Sequence, residues 1–240
     1  MPTFDPLLRR LIARVVYDGP ALCGKTTNVK RICELFPVQK RTELYTPGSL
    51  KGRTMFFDWL EVQIGKVGQL ALTCQVLSVP GQRARSYRRK PLIQSADAVV
   101  FVADSGANQL DETRRCYALM RRYLRSREDN ADVPHIVQAN KQDGPLALAP
   151  EELATALRLA SHVLVVPGIA NEGEGVRETF AAAVQAAVRF TQQYVRVVGL
   201  DAIAGTPENP DSLLDALLLL EDKVDDMAAE EEPSEAELTN

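Results

Sequence analysis

Gly19-Pro20-Ala21-Leu22-Cys23-Gly24-Lys25-Thr26 satisfies the pattern G-x-x-x-x-G-K-[ST], whose chemistry is the holding of phosphate. Glycine at both ends lets the backbone curl until successive N–H groups face one anion, and a helix opening at Lys25 adds its own free N–H groups. Lys25 brings an ammonium to the outer phosphates, and Thr26 a hydroxyl suited to magnesium. The expected contact set is Gly19, Ala21, Leu22, Cys23, Gly24, Lys25, Thr26 and Thr27, with Lys25 also counted as catalytic. An octapeptide can match by chance. Here a strand-like run precedes it and a helical run follows, as the chemistry demands.

Asn140-Lys141-Gln142-Asp143 follows a short apolar run, His135 to Ala139, and so lies at a strand's C-terminal end, where open α/β sheets build nucleotide sites. A carboxylate such as that of Asp143 accepts from both the ring N–H and the amino group of guanine, a donor pair that adenine lacks on that edge. Alone, the tetrapeptide also suits a solvated loop; behind a phosphate loop it points to a base. Val79-Pro80-Gly81-Gln82 ends another strand-like run. Gly81 can present a backbone N–H to a terminal phosphate, and Gln82 is the candidate for orienting an attacking water. Arg53 and Thr54 offer a guanidinium for charge developing in a transition state and a second hydroxyl for magnesium. An ordinary exposed loop arginine is the competing reading of Arg53.

The elements that must position these groups alternate as in a parallel α/β domain. Leu11 to Tyr17 reads as a strand and Lys25 to Phe36 as a helix that ends before Pro37. Residues 38–55 form a long polar loop. Phe56 to Ile64 and Gln69 to Val79 read as a hairpin turning through Gly65-Lys66-Val67-Gly68. Ala98 to Ala103, His135 to Ala139 and His162 to Val166 are apolar strands. Helical patterns run from Gln109 to Arg127 and from Glu174 to Val195. The expected division is a domain over 1–198, a linker over 199–210 with Gly205, Pro207 and Pro210, and over 211–240 an amphipathic helix followed by a disordered acidic end.

At 240 residues with 45% hydrophobic content, the chain buries one substantial core and leaves little for a second. Cys23, Cys33, Cys74 and Cys116 contain no C-x-x-C pair, and only His135 and His162 are histidines. Neither a zinc site nor a histidine triad has its parts. No apolar run approaches the roughly 20 residues that span a bilayer and no signal-peptide pattern opens the chain, so a cytoplasmic protein without an integral membrane segment is expected. Residues 221–240 hold nine acids against Lys223, a charge of −8, leaving about +4 for the body of a chain whose net charge is −4. That balance argues against a nucleic-acid partner. The arginines at 114, 115, 121, 122 and 125 mark a basic helix face, and Leu213, Leu217, Leu220, Val224 and Met227 an apolar stripe for domain packing, a short coiled coil or a partner's groove.

Taken together, Gly19 to Asn28, Arg53-Thr-Met-Phe-Phe-Asp58, Val79 to Gln82, Val100 to Asp104 and Asn140 to Asp143 resemble the MglA-type bacterial small GTPases of the Ras-like superfamily, over residues 10 to 195. The resemblance implies a P-loop NTPase of Ras-like three-layer fold, with a mostly parallel central sheet and one antiparallel hairpin strand. It implies binding of GTP and GDP with Mg2+, hydrolysis of GTP to GDP and phosphate, and switch regions around residues 42 to 58 and 80 to 92. It further implies Gln82 positioning water, Arg53 as an internal arginine finger, a Roadblock-type activating partner and a role in polarity or motility. Three positions depart from the wider pattern. Ser78 stands where most Ras-like chains have aspartate, which leaves magnesium to Thr26, Thr54, water and phosphate. Ala21 replaces a loop glycine and is expected to slow turnover. Gly168-Ile169-Ala170-Asn171 matches the guanine-covering segment only loosely, through the backbone N–H of Ala170. A non-hydrolysing guanine-nucleotide scaffold is the alternative; a P-loop kinase would need a substrate lid.

Overall fold

Runs rich in Val, Ile and Leu, too apolar for either face to meet water, become the strands of one sheet. The computed structural model describes residues 1–48, 56–81 and 86–230. Among them the strands are β1 (Thr3–Asp5), β2 (Arg10–Asp18), β3 (Asp58–Val67), β4 (Leu70–Ser78), β5 (Ala98–Asp104), β6 (His135–Asn140) and β7 (Val165–Gly168). Their order is β3-β4-β2-β5-β6-β7. The pairs β4–β2–β5–β6–β7 are parallel, whereas β3 runs antiparallel to β4. β1 lies antiparallel along the start of β2, with Thr3 opposite Ile12, before the β5 pairing begins at Val15. Every residue of the central β5 is buried.

Helices cover both faces. α1 (Lys25–Leu35) and α5 (Val176–Val198) pack Val29, Ile32, Phe180, Ala183 and Ala187 against Val15, Val62, Val76, Val100 and Val102. Alternation along β5 turns Phe101 to the opposite face, where its ring meets Tyr117 of α3 (Leu110–Arg125) edge-on at 5.1 Å. α2 (Ser86–Gln94) and the short α4 (Pro150–Ala156) complete the layers.

Several boundaries move from the sequence reading, each for a local reason. The hairpin turns at Gly68-Gln69, between the paired Val67 and Leu70, and Gly65 instead marks a register shift within β3. Gly68 at φ 61° takes the left-handed conformation a two-residue turn requires. β7 is displaced from 162–166 and includes Pro167, tolerated because β7 is an edge strand. α5 starts at Val176 because Gly175, at φ 69°, precedes it; a Cβ there would lie 2.1 Å from Pro167 O. α2 contains Pro91, a residue that argues against a helix when read from sequence. After α1, the bridges Arg41–Val62 and Tyr45–Trp59 lay the chain along the outer edge of β3.

Met1–Pro207 and Glu208–Asn240 form two compact units. In the first, residues 201–205 return to β1, with a bridge between Phe4 and Ala204 and a hydrogen bond of 3.0 Å from Gly205 N to Phe4 O. In the second, α6 (Pro210–Glu230) opens with proline at its first position. Asn209 caps it, accepting from Asp211 N at 3.1 Å and Ser212 N at 2.9 Å.

Candidate functional site

β2 delivers the chain into the phosphate loop at Gly19, whose φ of 148° and contact with β5 leave no room for a side chain: a Cβ would stand 2.2 Å from Val102 O. Leu22 at φ 62° and Gly24 at φ 108° continue the left-handed turns that direct successive N–H groups inward. Lys25, buried as α1 begins, donates to Gly19 O at 3.1 Å and Pro20 O at 2.6 Å. The loop's own carbonyls thus orient the ammonium. Burial pushes the Cys23 thiol above its usual range despite the nearby Lys25 charge, so Cys23 is a packed wall and not a nucleophile.

The second loop is joined to the first through Asn140. Its Nδ2 donates to Cys23 O at 2.7 Å while its Oδ1 accepts from Ala170 N at 2.9 Å. One buried amide therefore ties the phosphate loop, the end of β6 and the segment after β7. The N–H expected of Ala170 for guanine is engaged with Asn140 instead. Lys141, at φ 66°, reaches Asp104 Oδ2 at 2.6 Å, and Gln142 Nε2 donates to Ser105 Oγ at 2.8 Å and Leu148 O at 3.1 Å. Asp143 alone in this tetrapeptide is exposed. Asn28 of α1 and Gln138 of β6 exchange hydrogen bonds of 2.7 and 3.0 Å in full burial.

At the foot of α1 the structure assembles a group that sequence spacing did not find. Asp58, fully buried at the start of β3, accepts the Thr26 hydroxyl at 2.6 Å and the Thr46 hydroxyl at 2.9 Å, and also that of Ser78. The carboxylate absent at the end of β4 is thus supplied across the hairpin, where Asp58 and Ser78 are paired residues. Gly81 approaches closely as well: a Cβ there would lie 2.6 Å from Lys25 Nζ and 2.7 Å from Ala21 N. Arg53, Thr54 and Gln82 lie outside the described residues.

Asp18, the residue before Gly19, and Arg89 of α2 form a fully buried ion pair. Both Arg89 Nη2 bonds are short, 2.8 Å to Oδ1 and 2.9 Å to Oδ2, and Nε adds a third at 3.1 Å. The helix after Gly81 is thereby anchored to the entry of the phosphate loop.

A phosphate loop after β2, a base loop after β6 and a doubly covered sheet define a P-loop guanine-nucleotide switch. Residues 14–187 match the ADP-ribosylation factor family, and the chain belongs to that family of small GTPases. It is 31% identical to the mutual gliding-motility protein MglA of Myxococcus xanthus (strain DK1622), over 72% of this chain and 89% of that protein. ADP-ribosylation factor-like protein 4D of Mus musculus and of Homo sapiens is each 34% identical, over 65% of this chain and 71% of the relative. The chain is accordingly a GTPase of Arf and MglA type, and its mostly parallel sheet with an antiparallel hairpin is the fold expected of that class.

Proposed function

We propose that this GTPase holds Mg2+ with its nucleotide, hydrolyses GTP slowly and works as a cytoplasmic switch in bacterial polarity or motility. The observation that carries the metal reading is Asp58 gathering the hydroxyls of Thr26, Thr46 and Ser78. These are hard oxygen donors, the set that Mg2+ accepts beside phosphate. Thr26 and Thr54 would hold the ion, with Asp58 orienting Thr26; the ion would supply positive charge to the phosphate oxygens.

Within the chain's own machinery, Lys25 meets the outer phosphates, Asp143 reads guanine, Gln82 orients water and Arg53 meets developing charge. The slow-turnover reading rests on Ala21 standing where the wider pattern has a loop glycine, beside Gly81, where a Cβ would lie 2.7 Å from Ala21 N. Ala21 together with Ser78 also favours a second reading, a non-hydrolysing scaffold. A Roadblock-type partner that arranges the segments around Arg53 and Gln82 is the expected activator. The motility setting is supported by the likeness to MglA. No helix among the described residues is long and apolar enough to cross a membrane.

Single-turnover GTP hydrolysis over a magnesium titration tests the reading. Slow phosphate release is expected, with Asp58→Asn raising the magnesium concentration needed about tenfold or more. Absence of phosphate release even with a Roadblock-type partner would establish the scaffold. GTP affinity unchanged in Asp143→Asn would remove Asp143 from the base pocket.

A further inference from the structure

A second candidate site lies at the end of β6 away from Asn140, roughly 16 Å along the strand at its ordinary rise. His135 opens β6 there, facing a cavity of about 630 Å³ between the C-terminal half of α3, the 130–134 connection, His162 and the middle of α5. That volume is in the range that small-molecule ligands fill. Its charge is one-sided. Arg121 and Arg125 enter from α3, Arg189 from α5, and Asp132 is the acid among the lining residues. No carboxylate among the described residues forms an ion pair with any of the three guanidiniums.

The inner wall is fixed. Tyr117 OH and His135 Nε2 lie 2.9 Å apart, and Arg121 Nη1 donates to the same hydroxyl at 3.4 Å. Burial first, then the charges of Arg121 and His162, hold the His135 imidazole down to about 4. Guanidinium forks suit phosphate oxygens, which accept paired N–H donors in a plane. The volume exceeds the needs of a single inorganic ion.

We propose that this cavity, lined by Arg121, Arg125, Arg189, His135 and His162, binds a small ligand carrying several phosphate groups, separately from the nucleotide on the Gly19–Thr26 loop. Such groups arrive either on a soluble molecule or on a lipid headgroup, and both present the same chemistry to the arginines.

The chain has two histidines, and both line the cavity, so imidazole NMR reads it without an added label. The GDP-saturated full chain is titrated with myo-inositol hexakisphosphate, and in parallel with phosphatidylcholine vesicles containing phosphatidylinositol bisphosphate. Saturable movement of both imidazole signals is expected in at least one arm; the soluble arm alone indicates a free ligand and the vesicle arm alone a headgroup. The double variant Arg125→Ala/Arg189→Ala is expected to weaken that binding at least tenfold while GDP release keeps its wild-type rate. Silence of both imidazoles in both arms would overturn the proposal, as would equal affinity in the double variant. Movement produced only by an acidic glutamate peptide would reassign the cavity to protein docking.

Discussion

Asn140 shows how one side chain serves two loops. Replacing it with alanine orphans Cys23 O and Ala170 N together, and buried polar groups left so cost about 1–3 kcal/mol each. Asn140→Ala should therefore lower unfolding free energy by about 2 kcal/mol in urea titrations and speed GDP release in a fluorescent-nucleotide chase. Gly24→Ala should be harsher, since its Cβ would lie 2.3 Å from Asn140 Nδ2 and the φ of 108° resists any side chain. Loss of nucleotide binding in equilibrium dialysis is the expected outcome. The phosphate and base loops were legible in the sequence because their chemistry is contiguous: eight residues and four residues carry it. The link between them was not, because the partners of Asn140 are 117 and 30 residues away along the chain. Nor could spacing show that the amide would claim the Ala170 N–H.

At the scale of elements, register decides which side chains meet. Pairing from Val67–Leu70 without interruption would set Asp58 opposite Val79; the shift near Gly65 sets it opposite Ser78 instead. A one-residue difference turns every later side chain to the other face, so the meeting of Asp58 with Ser78 was invisible to a reading that placed the turn across Gly65 to Gly68. α2 escaped for another reason, its Pro91, and what holds it in place is the buried pair with Asp18. Removing one partner of such a pair leaves a charge in a dry site, at about 3–5 kcal/mol. Arg89→Met should be destabilised by that amount in urea unfolding, and Asp18→Leu added to it should restore most of the loss. If the two changes add independently, the pair does not anchor α2.

For the molecule as a whole, the fold class was readable from alternating apolar strands and helical stretches, and its limits were not, since capping glycines and edge prolines act through neighbours distant in sequence. The same long-range packing sets a pH response. The His135 imidazole falls from an ordinary 6.5 to about 4, so protons bind the unfolded chain first. Its contribution is present above pH 6.5 and lost as pH falls toward 4, up to about 3 kcal/mol. His135→Gln, which keeps a polar group for Tyr117, should narrow its stability gap to the wild type between pH 7 and pH 4.5 in urea titrations; a constant gap would mean the imidazole is not held neutral. The return of Ala204 and Gly205 to Phe4 bears on time as well as on place. β1 is translated before its outer contact, which must wait for residues about two hundred positions later. A chain cut back to end before Ala204 should thus keep its nucleotide pocket and leave this seam open, and limited proteolysis should cut near β1 faster in it than in the full chain.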